Sequence, residues 1–267
     1  MKYLVLALIL TLPGVALNSF ADTYPKNPKV DVLNYTFRIE LSDNTDEIRC
    51  VETIDVRYAG DGVKALRLDL VNATMKVSSV TSEGKELLHT HENNVLLVTL
   101  PSTPGLGQKI SYTVTYSGKP ASGLKIANNK YGDRTFFSDN WPDKGRHWLA
   151  IVDHPYDKAT CEFIVTAPSH YQVVSNGLRI EETDLQDGNR LTHWRQSVPI
   201  ASWLYVLGVA RFAVQHVDEY DHKSIETWVY HQDRDKGFYD FAIPTKDVLE
   251  FYSDRIGPFV YEKLANI

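Results

Sequence analysis

Through two long stretches of this chain, apolar residues fall on alternate positions. Ile48, Cys50, Ile54, Val56 and Tyr58 form one series, and Ile110, Tyr112, Val114 and Tyr116 form another. Each stretch therefore turns one face to a core and one to water, which is the period of a β-strand. Further β-branched and aromatic runs at 35–41, 66–70, 95–100, 161–167, 191–195, 203–214 and 224–231 are separated by turn residues, among them Gly60-Asp61-Gly62, Ser117-Gly118 and Asp187-Gly188-Asn189. Short strands at this spacing predict a mainly β fold, an antiparallel sandwich or saddle, rather than a parallel sheet with crossover helices.

The helical period occurs once. Over Ile243–Gly257, Val248, Leu249, Tyr252 and Ile256 recur at helical spacing, with Pro244 placed for a first turn and Gly257-Pro258 as a stop. This predicts one amphipathic helix. The longest stretch without a period, Ala121–Asp157, is dense in Asn, Gly, Asp and Trp, and a loop of that length is expected to carry function.

Before the first strand, Lys2 precedes an apolar run from Tyr3 to Leu12, then Pro13-Gly14 and Ser19-Phe20-Ala21. That order reads as a cleavable secretory signal over residues 1–21 and predicts a secreted or periplasmic protein that meets the membrane only transiently, through that signal. An uncleaved anchor is the alternative reading. Export would permit a disulfide, yet Cys50 and Cys161 each lie in an apolar strand run without a C-x-x-C partner, so both read as small buried hydrophobes. The net charge of −6 supplies no basic face for nucleic acid, which is excluded as a partner.

No local motif supplies catalysis. His91-Glu92-Asn93-Asn94 starts like H-E-x-x-H, but Val95 stands in the fifth place and a single His cannot form the ligand pair that zinc takes from one helix face. There is no G-x-S-x-G elbow and no phosphate-binding loop. The segment Phe136–Trp148 stands apart because it concentrates aromatic, acidic and basic side chains. Trp141 and Trp148 offer rigid contact area, and Asp139 and Asn140 offer acceptors to a ligand amine. The same residues would serve a purely structural role if the aromatics plug one end of a sandwich and Arg146 pairs with Asp153.

Several segments in order resemble a known family. Arg146-His147-Trp148-Leu149, Asp153-His154-Pro155, Asp157-Lys158-Ala159-Thr160, Val174-Ser175-Asn176-Gly177, Pro199-Ile200-Ala201-Ser202-Trp203-Leu204 and Gly257-Pro258-Phe259-Val260-Tyr261-Glu262-Lys263-Leu264 are similar to the N-terminal domain of the aminopeptidase N family of zinc metallopeptidases, the gluzincins, and to the start of its catalytic domain. The resemblance implies a saddle-shaped antiparallel β domain over 22–220, followed at 221–267 by the first strand and helix of a thermolysin-like catalytic domain. It implies peptide substrates and a zinc ion in the full-length family. The family's zinc ligands, H-E-x-x-H with a downstream Glu, and its G-x-M-E-N strand do not occur in these residues. This chain alone is therefore expected to bind no cofactor and to lack catalytic residues. Where the family places a Gln-x-[Gln/Glu] pair that holds the substrate's amine, this chain has Asp139 and Trp141. The resemblance thus implies a substrate-binding role for Asp139, Asn140 and Trp141. A second expectation is a stand-alone β domain that binds peptides or a protein partner without catalysis.

Overall fold

The computed structural model describes residues 22–267, so the expected signal segment lies outside the described residues. The alternation in the sequence becomes an eight-stranded sheet. In spatial order its strands are Leu178–Asp184, Asn189–Ala201, Lys158–Pro168, Val30–Glu40, Ile48–Tyr58, Lys109–Gly118, Met75–Ser82 and Lys85–Glu86. Every pairing is antiparallel except the third, where Val30–Glu40 runs parallel to Lys158–Pro168 in register Tyr35 to Cys161 and Phe37 to Phe163. The return between those two strands is made through other strands rather than a helix, so a mainly antiparallel fold still contains one parallel seam.

Two smaller sheets share the core with this one. One orders Gln172–Ser175, Leu207–Ala210, Arg134–Ser138 and Leu124–Asn128, and the other orders Ala65–Asp69, Val95–Thr99 and His89–Glu92. Tyr35, Phe37, Ile54, Tyr112, Tyr116 and Phe163 are buried in the common core with Leu68, Leu96, Trp148 and Leu207. Aromatic faces tie the layers: Phe37 meets Phe163 at 4.8 Å, and Tyr205 stands edge-on to both Phe37 and Tyr35. Cys50 and Cys161 are buried free thiols in this interior.

The aperiodic stretch is less of a loop than its sequence suggests. It contains the hairpin Leu124–Asn128 and Arg134–Ser138, whose short strands are too brief to show a period. Downstream, Phe212–Tyr220 and Lys223–Tyr230 form a hairpin to which Lys263–Asn266 adds in parallel. The helix Arg234–Arg255 packs on this sheet. It begins at Arg234 rather than Ile243, and Pro244 lies inside it. A proline within a helix forfeits one backbone bond but does not end the helix where packing holds both flanks; here Gly237 lets the helix lie so close to Val229 that a Cβ would sit 2.6 Å from its methyl. The expected apolar face is also only partly used. Leu249 is buried, whereas Val248, Tyr252 and Ile256 are exposed.

Candidate functional site

The strand Arg134–Ser138 delivers the chain into the turn Asp139–Lys144, which a short 3-10 turn at Gly145–His147 closes. Its anchor is Asn140, which is buried. Its amide nitrogen donates to the Tyr205 carbonyl at 2.8 Å, and its amide oxygen accepts from the Trp148 indole at 2.9 Å. Trp148 is fully buried, so the role of core plug belongs to Trp148 and to Asn140 as its brace. Asn140 is buried and its amide is bonded within the fold at both ends, so it braces the turn beneath its neighbours and is not presented at the surface as they are. Asn140→Ala is expected to cost roughly 2–3 kcal/mol, since it strands the indole N–H and a backbone carbonyl; chemical denaturation measures it.

The neighbours on either side face outward. Asp139 is an exposed carboxylate paired with Lys144 Nζ at 2.6 Å, and that hydrogen bond holds it below the usual carboxylate range. Trp141 is 60% exposed and lies 4.7 Å from the ring of Trp203. Trp203 sits in the short turn Ser202–Leu204 beside the half-exposed Leu204. No local stretch of sequence joins Trp203 to Trp141; only the tertiary fold brings the two into contact.

Beneath the turn lies an ionic network. Arg146 donates to Asp153 Oδ2 from its backbone at 3.0 Å and from Nε at 3.1 Å, and to the Asp153 carbonyl at 3.2 Å. Ser202 donates to the other carboxylate oxygen, linking this pair to the Trp203 turn. Burial raises the Asp153 carboxyl above its ordinary value, against the opposing pull of Arg146. The Asp153 N–H donates to Asp69, which also pairs with Arg67 at 2.7 Å and accepts from the Tyr24 hydroxyl. Arg146 thus pairs with Asp153, as the structural reading of the segment requires, while Asp139 and Trp141 stay exposed at the surface, the one beside Lys144 and the other beside Trp203.

No cluster of three or more His, Cys, Asp or Glu side chains among the described residues could hold a metal ion. His91 instead contacts the Leu70 carbonyl through Nε2 at 2.9 Å, and Asn93-Asn94 form a left-handed turn, so the partial H-E-x-x-H match is not on a helix. The described side chains therefore offer no ligand set for the zinc expected in the family. Among the described residues no helix is long and apolar enough to cross a membrane.

Residues 32–204 match the Peptidase M1 N-terminal domain, and the chain belongs to that family. The structure agrees: the M1 zinc metallopeptidase of Deinococcus radiodurans superposes with a TM-score of 0.79 at 20% identity, over 89% of this chain and 55% of that one. A mutant of that enzyme gives a TM-score of 0.78 at 22% identity over 89% and 56% of the two chains. The mutant solved with a Tyr-Ser-Ala substrate gives 0.74 at 20%, again over 89% and 56%. At such identities the likeness establishes the fold. The chain spans just over half the length of these solved structures. No curated protein matches the sequence.

Proposed function

We propose that this chain is the N-terminal, substrate-side part of an exported zinc aminopeptidase, in which the surface of Asp139, Trp141 and Trp203 borders the cleft and limits how a peptide's first residue is seated. The observation that carries this reading is the pairing of an exposed acid and an exposed indole on a turn braced from below. A rigid turn presents them with little ordering cost on binding. Asp139 offers an acceptor to the substrate's ammonium, and the two indoles offer an apolar wall. Catalysis would rest on zinc ligands outside these residues, since bound zinc polarises the scissile carbonyl and activates water. Export follows from the signal-like residues 1–21 and is read out by N-terminal sequencing of the mature protein, expected to start at Asp22.

Two observations favour this over a stand-alone binder: the chain spans about half of the solved structures it resembles, and its helix exposes Val248 at 47%, Phe251 at 53% and Tyr252 at 54%, with Ile256 just past its end at 80%. Exposed apolar side chains at helical spacing mark a packing surface. The isolated chain is therefore expected to self-associate in sedimentation at micromolar concentration, and Val248→Glu with Tyr252→Lys is expected to leave it monomeric. A parent chain that stays monomeric and unfolds cooperatively supports the stand-alone domain instead. The site itself is tested by extending the coding sequence past Ile267 and measuring kinetics. In an active extended enzyme, Trp141→Ala is expected to raise KM with little change in stability, and an unchanged KM removes Trp141 from the substrate path.

A further inference from the structure

Asp69 is a fully buried carboxylate at the end of the strand Ala65–Asp69, and its backbone exchanges hydrogen bonds with Ile151 in both directions. Three donors reach its side chain. Arg67 lies at 2.7 Å and the Asp153 N–H donates at 3.1 Å. The third is the hydroxyl of Tyr24, brought in by the segment Asp22–Asn27 that precedes the first strand. Several side chains seat that segment. His154 stacks on the Tyr24 ring at 4.6 Å, and the Arg67 guanidinium lies 5.3 Å from the ring's centre. Tyr156 donates its backbone N–H to His154 Nδ1 at 3.1 Å, which leaves the ring proton on Nε2, 3.1 Å from the Asp22 carboxylate. Burial and the Asp69 carboxylate hold the Tyr24 phenol far above its usual range, so it stays a donor.

A buried carboxylate deprived of a donor draws on the nearest cation. Arg146 already stands in the field of Asp69, although its bonds go to Asp153. We propose that Tyr24 is a positioning residue for the surface of Asp139, Trp141 and Trp203. Its hydroxyl satisfies Asp69, so Arg146 is left to Asp153 and the turn bearing Asp139 and Trp141 keeps its place. Ser202, bonded to Asp153, carries the same constraint to the turn of Trp203. The segment Asp22–Asn27 thus acts as a strap whose seating sets the indole contact. What the indoles do there rests on the function proposed above; the strap's action on them does not.

The test uses the whole chain and the circular dichroism of coupled indoles. Trp141 and Trp203 lie 4.7 Å apart with planes inclined at 45°, a geometry that gives an exciton couplet. Subtracting the spectrum of the matching Trp141→Phe chain removes the background of the Trp194–Trp228 pair. Tyr24→Phe keeps the ring on His154 and deletes only the hydroxyl. It is expected to reduce the couplet about twofold or more while urea unfolding stays cooperative. Asp69→Asn added to Tyr24→Phe is expected to restore the couplet, because an amide does not compete for Arg146; such recovery is the non-additivity of residues in one network. A Tyr24 that only adds stability would leave the couplet at its parental size. A parental couplet that Trp141→Phe does not remove, an unchanged couplet in Tyr24→Phe, or a loss that Asp69→Asn leaves or deepens overturns the proposal. Should the double variant not fold, Tyr24→Phe decides alone. No substrate enters this measurement, so a failure of Trp141 in the kinetic test leaves the strap standing, and a failure of the strap leaves the kinetic test standing.

Discussion

At pH 8 the Glu52→Gln chain is expected to be more stable than its parent, by an amount on the order of a few kcal/mol. Glu52 lies at an inward position of the strand Ile48–Tyr58 and is fully buried. One carboxyl oxygen accepts from the Tyr116 hydroxyl at 2.9 Å and from the Ala150 N–H at 3.1 Å, while the other has no partner. Desolvation outweighs those two hydrogen bonds and raises the group from 4.5 to about 8. The protonated acid is therefore the form that fits the fold. Stability from this site is fully present below the unfolded value of 4.5 and is lost as pH rises through about 8. Glutamine keeps the acceptor, carries no charge and removes that dependence. Asp157, raised by burial to about 7, titrates in part of the same window, so the informative quantity is the difference between parent and variant in urea unfolding across pH. A constant difference from pH 4 to 9 would contradict this account of Glu52.

Arg146→Ala is expected to be the most damaging single change near the candidate site. It leaves Asp153, which is buried and bound to Ser202, as a carboxylate without its cation. Removing one member of such a pair costs about 3–5 kcal/mol. The loss should spread to the site, because Arg146 closes the turn that bears Asp139 and Trp141 and Ser202 begins the turn that bears Trp203. Urea denaturation measures the stability. The change in fluorescence of the two paired indoles reports whether their contact survives. If Asp153→Asn restores stability to the Arg146→Ala chain, the cost is that of an isolated charge rather than of lost packing.

The sheet is largely legible in the sequence, and the reason lies in particular residues. Ile48 to Tyr58 and Ile110 to Tyr116 each keep one face apolar, and the two stretches are direct neighbours in the sheet. Glu52 interrupts the first of these series at an inward position, so the most unusual buried group in the core carried a signal in the sequence itself. The parallel seam between Val30–Glu40 and Lys158–Pro168 carried none, because strand direction leaves no trace in a period of two. The helix start was obscured by Pro244, whose usual place in a first turn outweighed the weaker pattern upstream of it. In the segment proposed as the site, Asp139–Trp141 stand out in the sequence, but the division of labour among them does not. Whether Asn140 faces a ligand or the Trp148 indole depends on a side chain eight positions away whose burial only the fold determines. Trp203 joins Trp141 across a separation that no local window spans.

If, as proposed, these residues build a substrate-side wall and the metal chemistry rests on ligands outside them, the purified chain with added zinc is expected to hold substoichiometric zinc and to release no amino acid from aminoacyl-anilides. Zinc bound at one ion per chain, with hydrolysis that a chelator abolishes and zinc restores, would contradict it.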